Sequence, residues 1–100
     1  MISVVNKKNG EVGIYIGRGS ILGNRFVIGK DGNRDEVVEK YRQWLWVEVQ
    51  NRSSVFEELV RLKRLSLAAD LKLQCFCSPL KCHGHVVKSC IEWMTSAEIE

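Results

Sequence analysis

The stretch Leu71-Lys72-Leu73-Gln74-Cys75-Phe76-Cys77, running on through Ser78-Pro79-Leu80-Lys81-Cys82-His83-Gly84-His85, decides how this chain folds. Its first half alternates strictly. Leu71, Leu73, Cys75 and Cys77 fall on one face and Lys72, Gln74 and Phe76 on the other, the two-residue period of a strand. The second half turns at Pro79 and leads into Val86, Val87, Cys90, Ile91 and Met94, which recur at helical spacing. A strand that turns into a helix is an α/β unit, and strand ends followed by helix starts are where such folds expose side chains to ligands. The strand reads as buried, so it is expected at an inner position of its sheet.

Working outward, residues 2–5 are a short stretch, largely apolar and β-branched, which suits a strand. Asn9-Gly10 is a strong hairpin signal, because both residues tolerate positive φ. Val12, Ile14 and Ile16 then alternate, so an opening hairpin is expected. Gly17-Arg18-Gly19-Ser20 follows directly, residues 21–28 read as irregular or partly extended, and Gly29-Lys30-Asp31-Gly32 marks another turn. Asn33-Arg34-Asp35-Glu36 has the spacing of a capping box and opens a helix from about Arg34 to about Gln50. Val38, Tyr41, Leu45 and Val49 form its apolar stripe, which Trp44 and Trp46 widen against the sheet. A second helix starts at Ser53-Ser54, where Ser54 and Glu57 repeat the capping-box spacing; its Arg61, Lys63 and Arg64 face water. The expected architecture is one α/β domain over residues 1–100, in the order β-β-α-α-β-α. It has a three- to four-stranded mixed sheet and about three packed helices.

Composition narrows the class. One hundred residues give one core just large enough to fold alone. With 45% hydrophobic and 27% charged residues the chain lies inside the globular range, away from disordered compositions. No apolar run is long enough to span a membrane, and Met1-Ile2-Ser3-Val4-Val5-Asn6 lacks the features of a secretory signal. The expected compartment is therefore the cytosol, with the four cysteines as reduced thiols or metal ligands rather than a disulfide framework. A net charge of +3 permits nucleic acid as a partner without arguing for it.

The chemistry concentrates in Cys-x-Cys-x4-Cys-His-Gly-His. Three readings stay open. Zinc takes thiolate and imidazole ligands, and Cys75, Cys77, Cys82 and His83 or His85 supply enough, although adjacent Cys82 and His83 chelate one ion awkwardly. Alternatively, Cys82 at a helix N-terminus is an activated thiol, its thiolate favoured by the helix dipole, with His83 or His85 as base or acid. The same helix start also suits a bound phosphate. In the third reading the cysteines fill the core as small hydrophobes, the reading taken for Cys90. At the other end of the chain, Gly17, Arg18, Gly19 and Ser20 read either as an anion nest with an arginine fork or as a plain glycine turn.

Val5-Asn6, Tyr15-Ile16-Gly17-Arg18-Gly19-Ser20, Gly23-Asn24-Arg25-Phe26, the helix with Tyr41 and Cys75-Phe76-Cys77-Ser78-Pro79-Leu80-Lys81-Cys82-His83-Gly84 occur in an order that resembles the domain of unknown function 4326 family. These are small proteins frequent in bacteriophages and bacteria. The likeness runs from about Val4 to about Met94. It departs at Arg25, where the family typically has proline, which loosens the turn expected there. The family name carries no activity, so the resemblance implies a fold and a site more than a reaction. It matches Arg18, Asn24, Cys75, Cys77, Cys82 and His83 to family motifs.

The expected site joins the two motifs and takes a small phosphorylated, nucleotide-like molecule. Arg18 and the amides of Gly17 and Gly19 hold the anion beside Ser20, and Asn24 orients polar edges. Cys75 and Cys77 line the site, and Cys82 with His83 supplies the reactive or hydrogen-bonding group. Turnover is left open. No cofactor is expected, nor a membrane partner; the chain is read as a monomer or small homo-oligomer in the cytoplasm, the host's if the protein is viral. The alternative is a zinc-stabilised interaction module contacting nucleic acid or a host protein, with Cys75, Cys77, Cys82 and His83 on the metal.

Overall fold

β3 (Leu71–Cys75) is the middle strand of a three-stranded sheet, between β1 (Ile2–Asn6) and β2 (Ile14–Tyr15). The computed structural model describes residues 1–75 and 82–94, and it completes the fold with α1 (Arg34–Gln50), α2 (Ser54–Ala68) and α3 (His83–Trp93). The α/β class, the element order and the inner position of β3 follow the sequence reading. The strand directions do not. Both pairings are parallel, with Ile2 opposite Leu71, Val4 opposite Leu73 and Ile14 also opposite Leu73, so the expected opening hairpin and mixed sheet are replaced by a parallel one.

The reason lies between β1 and β2. Asn6 Oδ1 accepts the Lys8 N–H at 2.8 Å and starts a single 3-10 turn (Lys7–Asn9), which Gly10 closes in the left-handed region at φ 74°. Asn9-Gly10 therefore caps that turn instead of reversing the strand. The link then crosses the face of β3 that carries Lys72 and Gln74. Gln74 Nε2 donates to the Glu11 carbonyl at 2.9 Å, and a Cβ on Gly13 would lie 2.7 Å from the Lys72 carbonyl oxygen. Only glycine allows that approach. The chain thus re-enters the sheet on the far side of β3, and β3 gains backbone partners on both edges.

The opposite face of β3 is the core face. Leu71, Leu73 and Cys75 are buried there, and α3 packs over them and over β1. Gly84 makes the contact close, since a Cβ at that position would lie 3.0 Å from Val4 Cγ1. α1 and α2 pack against α3 and each other. Each fully buried side chain such as Leu59, Leu62 or Ile91 contributes about 1.5–3 kcal/mol from the apolar area it withdraws from water.

The caps separate two cases. Asn33 and Glu36 make both bonds of the capping box, at 2.9 and 3.0 Å, and α1 begins as expected. In α2 the N-cap is Ser53, without a side-chain cap bond, so the expected Ser54–Glu57 box is not the device that starts it. Along α1, Val37, Val38, Tyr41, Leu45 and Val49 are buried and Trp44 is half-buried. Trp46 departs from the expected stripe: it is 48% exposed and sits edge-on to Trp93, with ring centroids 5.4 Å apart. No helix of the described residues is long and apolar enough to cross a membrane.

Candidate functional site

Both chemistry-bearing motifs follow a strand of the parallel sheet, and they meet at its carboxyl edge. Gly17 and Arg18 come after β2, and Cys82 and His83 come after β3. Ile16 joins them. Its N–H donates to the Gln74 carbonyl at 2.9 Å, extending the β2–β3 ladder, and its own carbonyl accepts the His83 Nε2–H at 2.6 Å. Arg18 and Cys82 consequently border one cleft of about 180 Å³. Tyr15, Phe26, Val37 and Val38 give it apolar walls, while Arg18, Asn24, Arg34 and His83 are its polar groups.

The loop that carries Arg18 is stitched to itself. Ser20 donates twice to the Gly17 carbonyl, from N–H at 3.1 Å and from Oγ at 2.7 Å, and the Tyr15 hydroxyl donates to the Arg18 carbonyl at 2.9 Å. Gly19 sits at φ 92°, in the left-handed region. Gly23 closes against the start of the loop, where a Cβ would come 2.6 Å from the Gly17 oxygen. With its backbone so fixed, Arg18 stands exposed at the rim, and its guanidinium has no hydrogen-bond or ion-pair partner among the described residues. Asn24 Oδ1 accepts the Phe26 N–H at 2.9 Å, so its side-chain amide nitrogen is the part available to donate into the cleft. Arg25 lays its guanidinium over Trp44, 4.6 Å from the ring centroid, and Trp44 is thereby packed rather than open for stacking.

The two histidines have separate tasks. A carbonyl only accepts, so His83 carries its proton on Nε2 and leaves Nδ1 as the ring's acceptor. His83 is buried edge-on to Tyr41, ring centroids 5.1 Å apart. Burial lowers its pKa below the ordinary 6.5; the Ile16 carbonyl opposes that shift, and the charges of Arg18 and His85 add to it. His85, two residues along, is the imidazole beside the thiol: its Nδ1 accepts the Cys82 N–H at 3.3 Å and lies 3.7 Å from Cys82 Sγ.

Cys82 is the N-cap of α3, and the first turn of that helix contains no acid. Its Sγ is 3.5 Å from Cys75 Sγ, both sulfurs being buried. Of the four candidate metal ligands, Cys75 and Cys82 are thus together, His83 is turned to Ile16, and Cys77 lies outside the described residues. Among the described residues no group of three or more His, Cys, Asp or Glu side chains is arranged to hold a metal ion. Cys90 packs at the edge of the core, and burial pushes its thiol up to about 11.

One of these residues escaped the sequence reading. Arg34 reads there as the first residue of a capped helix, and only the tertiary placement of α1 brings it to the cleft. Between His83 and His85, which the sequence reading left open as partners of the thiol, spacing could have decided: residues three apart on a helix share a side, so Cys82 faces His85 and not His83.

Neither a comparison with curated proteins nor one with solved structures finds a match. A family model described as a domain of unknown function, DUF4326, matches residues 4–93 and so takes in most of β1, all of β2 and β3 and all three helices. The chain belongs to the DUF4326 family.

Proposed function

We propose that the cleft binds a small phosphorylated, nucleotide-like molecule, with its phosphate between Arg18 and the N-terminus of α3. The observation that carries this reading is the shared cleft itself: an arginine at the rim, a second arginine at Arg34 and a helix start lacking acids all border one pocket. Helix N-termini favour anions through unpaired N–H groups and the aligned peptide dipoles. At α1 the acids Asp35 and Glu36 oppose a second anion, whereas the first turn of α3 carries no acid. The position at the carboxyl edge of parallel strands is the usual ligand position in open α/β sheets.

Size restricts the ligand. The cleft's 180 Å³ is below the roughly 300–1,000 Å³ of pockets that enclose whole drug-sized molecules. It suits a phosphate and a sugar-sized body, with any attached base extending outward. Asn24 and His83 Nδ1 then meet hydroxyl groups, and the apolar walls cover the carbon skeleton.

The test is a thermal-shift panel of nucleoside monophosphates, pentose phosphates, inorganic phosphate and the matching unphosphorylated nucleosides. A ligand at a hundred times its Kd stabilises by about 2.7 kcal/mol, roughly 10 °C or more for a domain of this size. At least one phosphorylated compound should reach this and its unphosphorylated partner should not, and Arg18→Ala should remove the shift. Equal shifts with and without phosphate, or none across the panel, would defeat the proposal.

A further inference from the structure

We propose that Cys75 and Cys82 form a redox pair: a peroxide oxidises Cys82 first, and Cys75 then closes an intramolecular disulfide with it. Four features lead there, independently of what the cleft binds. The sulfurs are already 3.5 Å apart, so reaching the roughly 2.05 Å of a disulfide needs a shift of about one bond length. One sulfur ends β3 and the other caps α3, and the packing of α3 on β1 and β3 holds them in that relation.

Access is unequal. Cys82 borders the cleft of about 180 Å³ and also a second groove, of about 480 Å³, on the side of Trp46 and Trp93. Cys75 borders neither and is 1% exposed. A molecule the size of hydrogen peroxide therefore meets Cys82 first. His85 Nδ1, 3.7 Å from Cys82 Sγ, is placed to take the thiol proton. Cys90 has no sulfur partner among the described residues and a thiol that burial pushes up to about 11, so it serves as the internal control for a less reactive cysteine.

The chemistry closes without a further reactant. The Cys82 sulfur attacks one peroxide oxygen; the S–O bond forms, the O–O bond breaks, and the thiol proton, passed on by His85, leaves with the departing hydroxide as water. Cys82 is now a sulfenic acid. The Cys75 sulfur attacks the Cys82 sulfur; the S–S bond forms, the S–O bond breaks, and the hydroxide leaves with the Cys75 proton as a second water. Two thiols are oxidised and one peroxide is reduced.

Trypsin makes the experiment direct, because Lys72, Lys81 and Lys88 place Cys75 and Cys77 in peptide 73–81 and Cys82 in peptide 82–88. Full-length protein is treated with hydrogen peroxide, blocked with an alkylating agent and mapped by mass spectrometry. The expected product is a 73–81/82–88 pair that is lighter by two hydrogens than the sum of its peptides, with fragmentation placing the link at Cys75 and with Cys90 alkylated. It persists in Cys77→Ser. In Cys75→Ser, Cys82 is instead trapped as sulfenic acid by dimedone. A link through Cys77, a link between two chains, or Cys82 still alkylated when Cys90 has been oxidised would overturn the proposal. Should Cys75→Ser fail to fold, the fragmentation pattern of the unaltered protein decides alone.

Discussion

Replacing His83 with alanine removes the bond that ties the two halves of the cleft together. The Ile16 carbonyl loses the Nε2–H donor it holds at 2.6 Å and stays buried without a partner, at a cost of about 1–3 kcal/mol. The edge-on contact with Tyr41 goes as well, worth about 0.5–1.5 kcal/mol beyond the area it buries. His83→Ala should therefore lose about 3 kcal/mol. Urea unfolding reads this as a midpoint lowered by roughly 1–3 M, given slopes of about 1–3 kcal/mol/M. His83→Gln keeps a donor near the Nε2 position and should lose about 1 kcal/mol.

The same residue sets a pH dependence. Burial, which leads, and the charges of Arg18 and His85 lower the His83 pKa in the folded protein against the opposing pull of the Ile16 carbonyl. As pH falls through about 6.5, the unfolded chain takes up the proton and the folded chain does not yet do so. In that window the unfolded state binds more protons, so stability falls as pH falls, down to the lowered folded pKa, and is fully present above about 6.5. His83→Gln should show a shallower fall than the unaltered protein. A His83→Ala variant within about 0.5 kcal/mol of the unaltered protein, or a His83→Gln variant whose pH slope equals that of the unaltered protein, would refute this account of the site.

Two other substitutions probe the scaffold. Tyr41→Phe strips the buried Leu22 carbonyl of the donor at 2.6 Å and should cost about 1–3 kcal/mol in chemical denaturation; a neutral result would mean that this bond carries no net stability. Gly23→Ala places a methyl group 2.6 Å from the Gly17 oxygen and 3.1 Å from Arg18 Cα. It should cost about 1–3 kcal/mol and displace the amide resonances of 17–20, whereas an unchanged spectrum would show that the loop is not held as described.

Most of what local chemistry dictates was legible in the chain. The Leu71/Leu73/Cys75 alternation announced a buried inner strand, and Asn33-x-x-Glu36 announced the start of α1. Asn9-Gly10 misled because its tolerance of positive φ serves a 3-10 cap as well as a hairpin. The choice between them rests on Glu11 and Gly13 meeting Gln74 and Lys72, some sixty residues away. Trp46 misled because a broad apolar stripe does not say where its edge falls. At the site, residue types were readable and their meeting was not. Arg18 and Cys82 share a cleft because the Ile16 carbonyl and His83 find each other across 67 positions. Arg34 arrives there through helix placement alone.

The central claim is that the Arg18–Cys82 cleft is where an anionic ligand sits. Amide NMR of the full chain titrated with adenosine monophosphate, a pentose phosphate and adenosine tests it most directly. The account predicts saturable shifts confined to residues 15–18, 24–28, 34–38 and 82–84 with a phosphorylated compound, absent with adenosine and lost in Arg18→Ala. Shifts of the same compound that cluster away from these residues, or that survive Arg18→Ala unchanged, would contradict it.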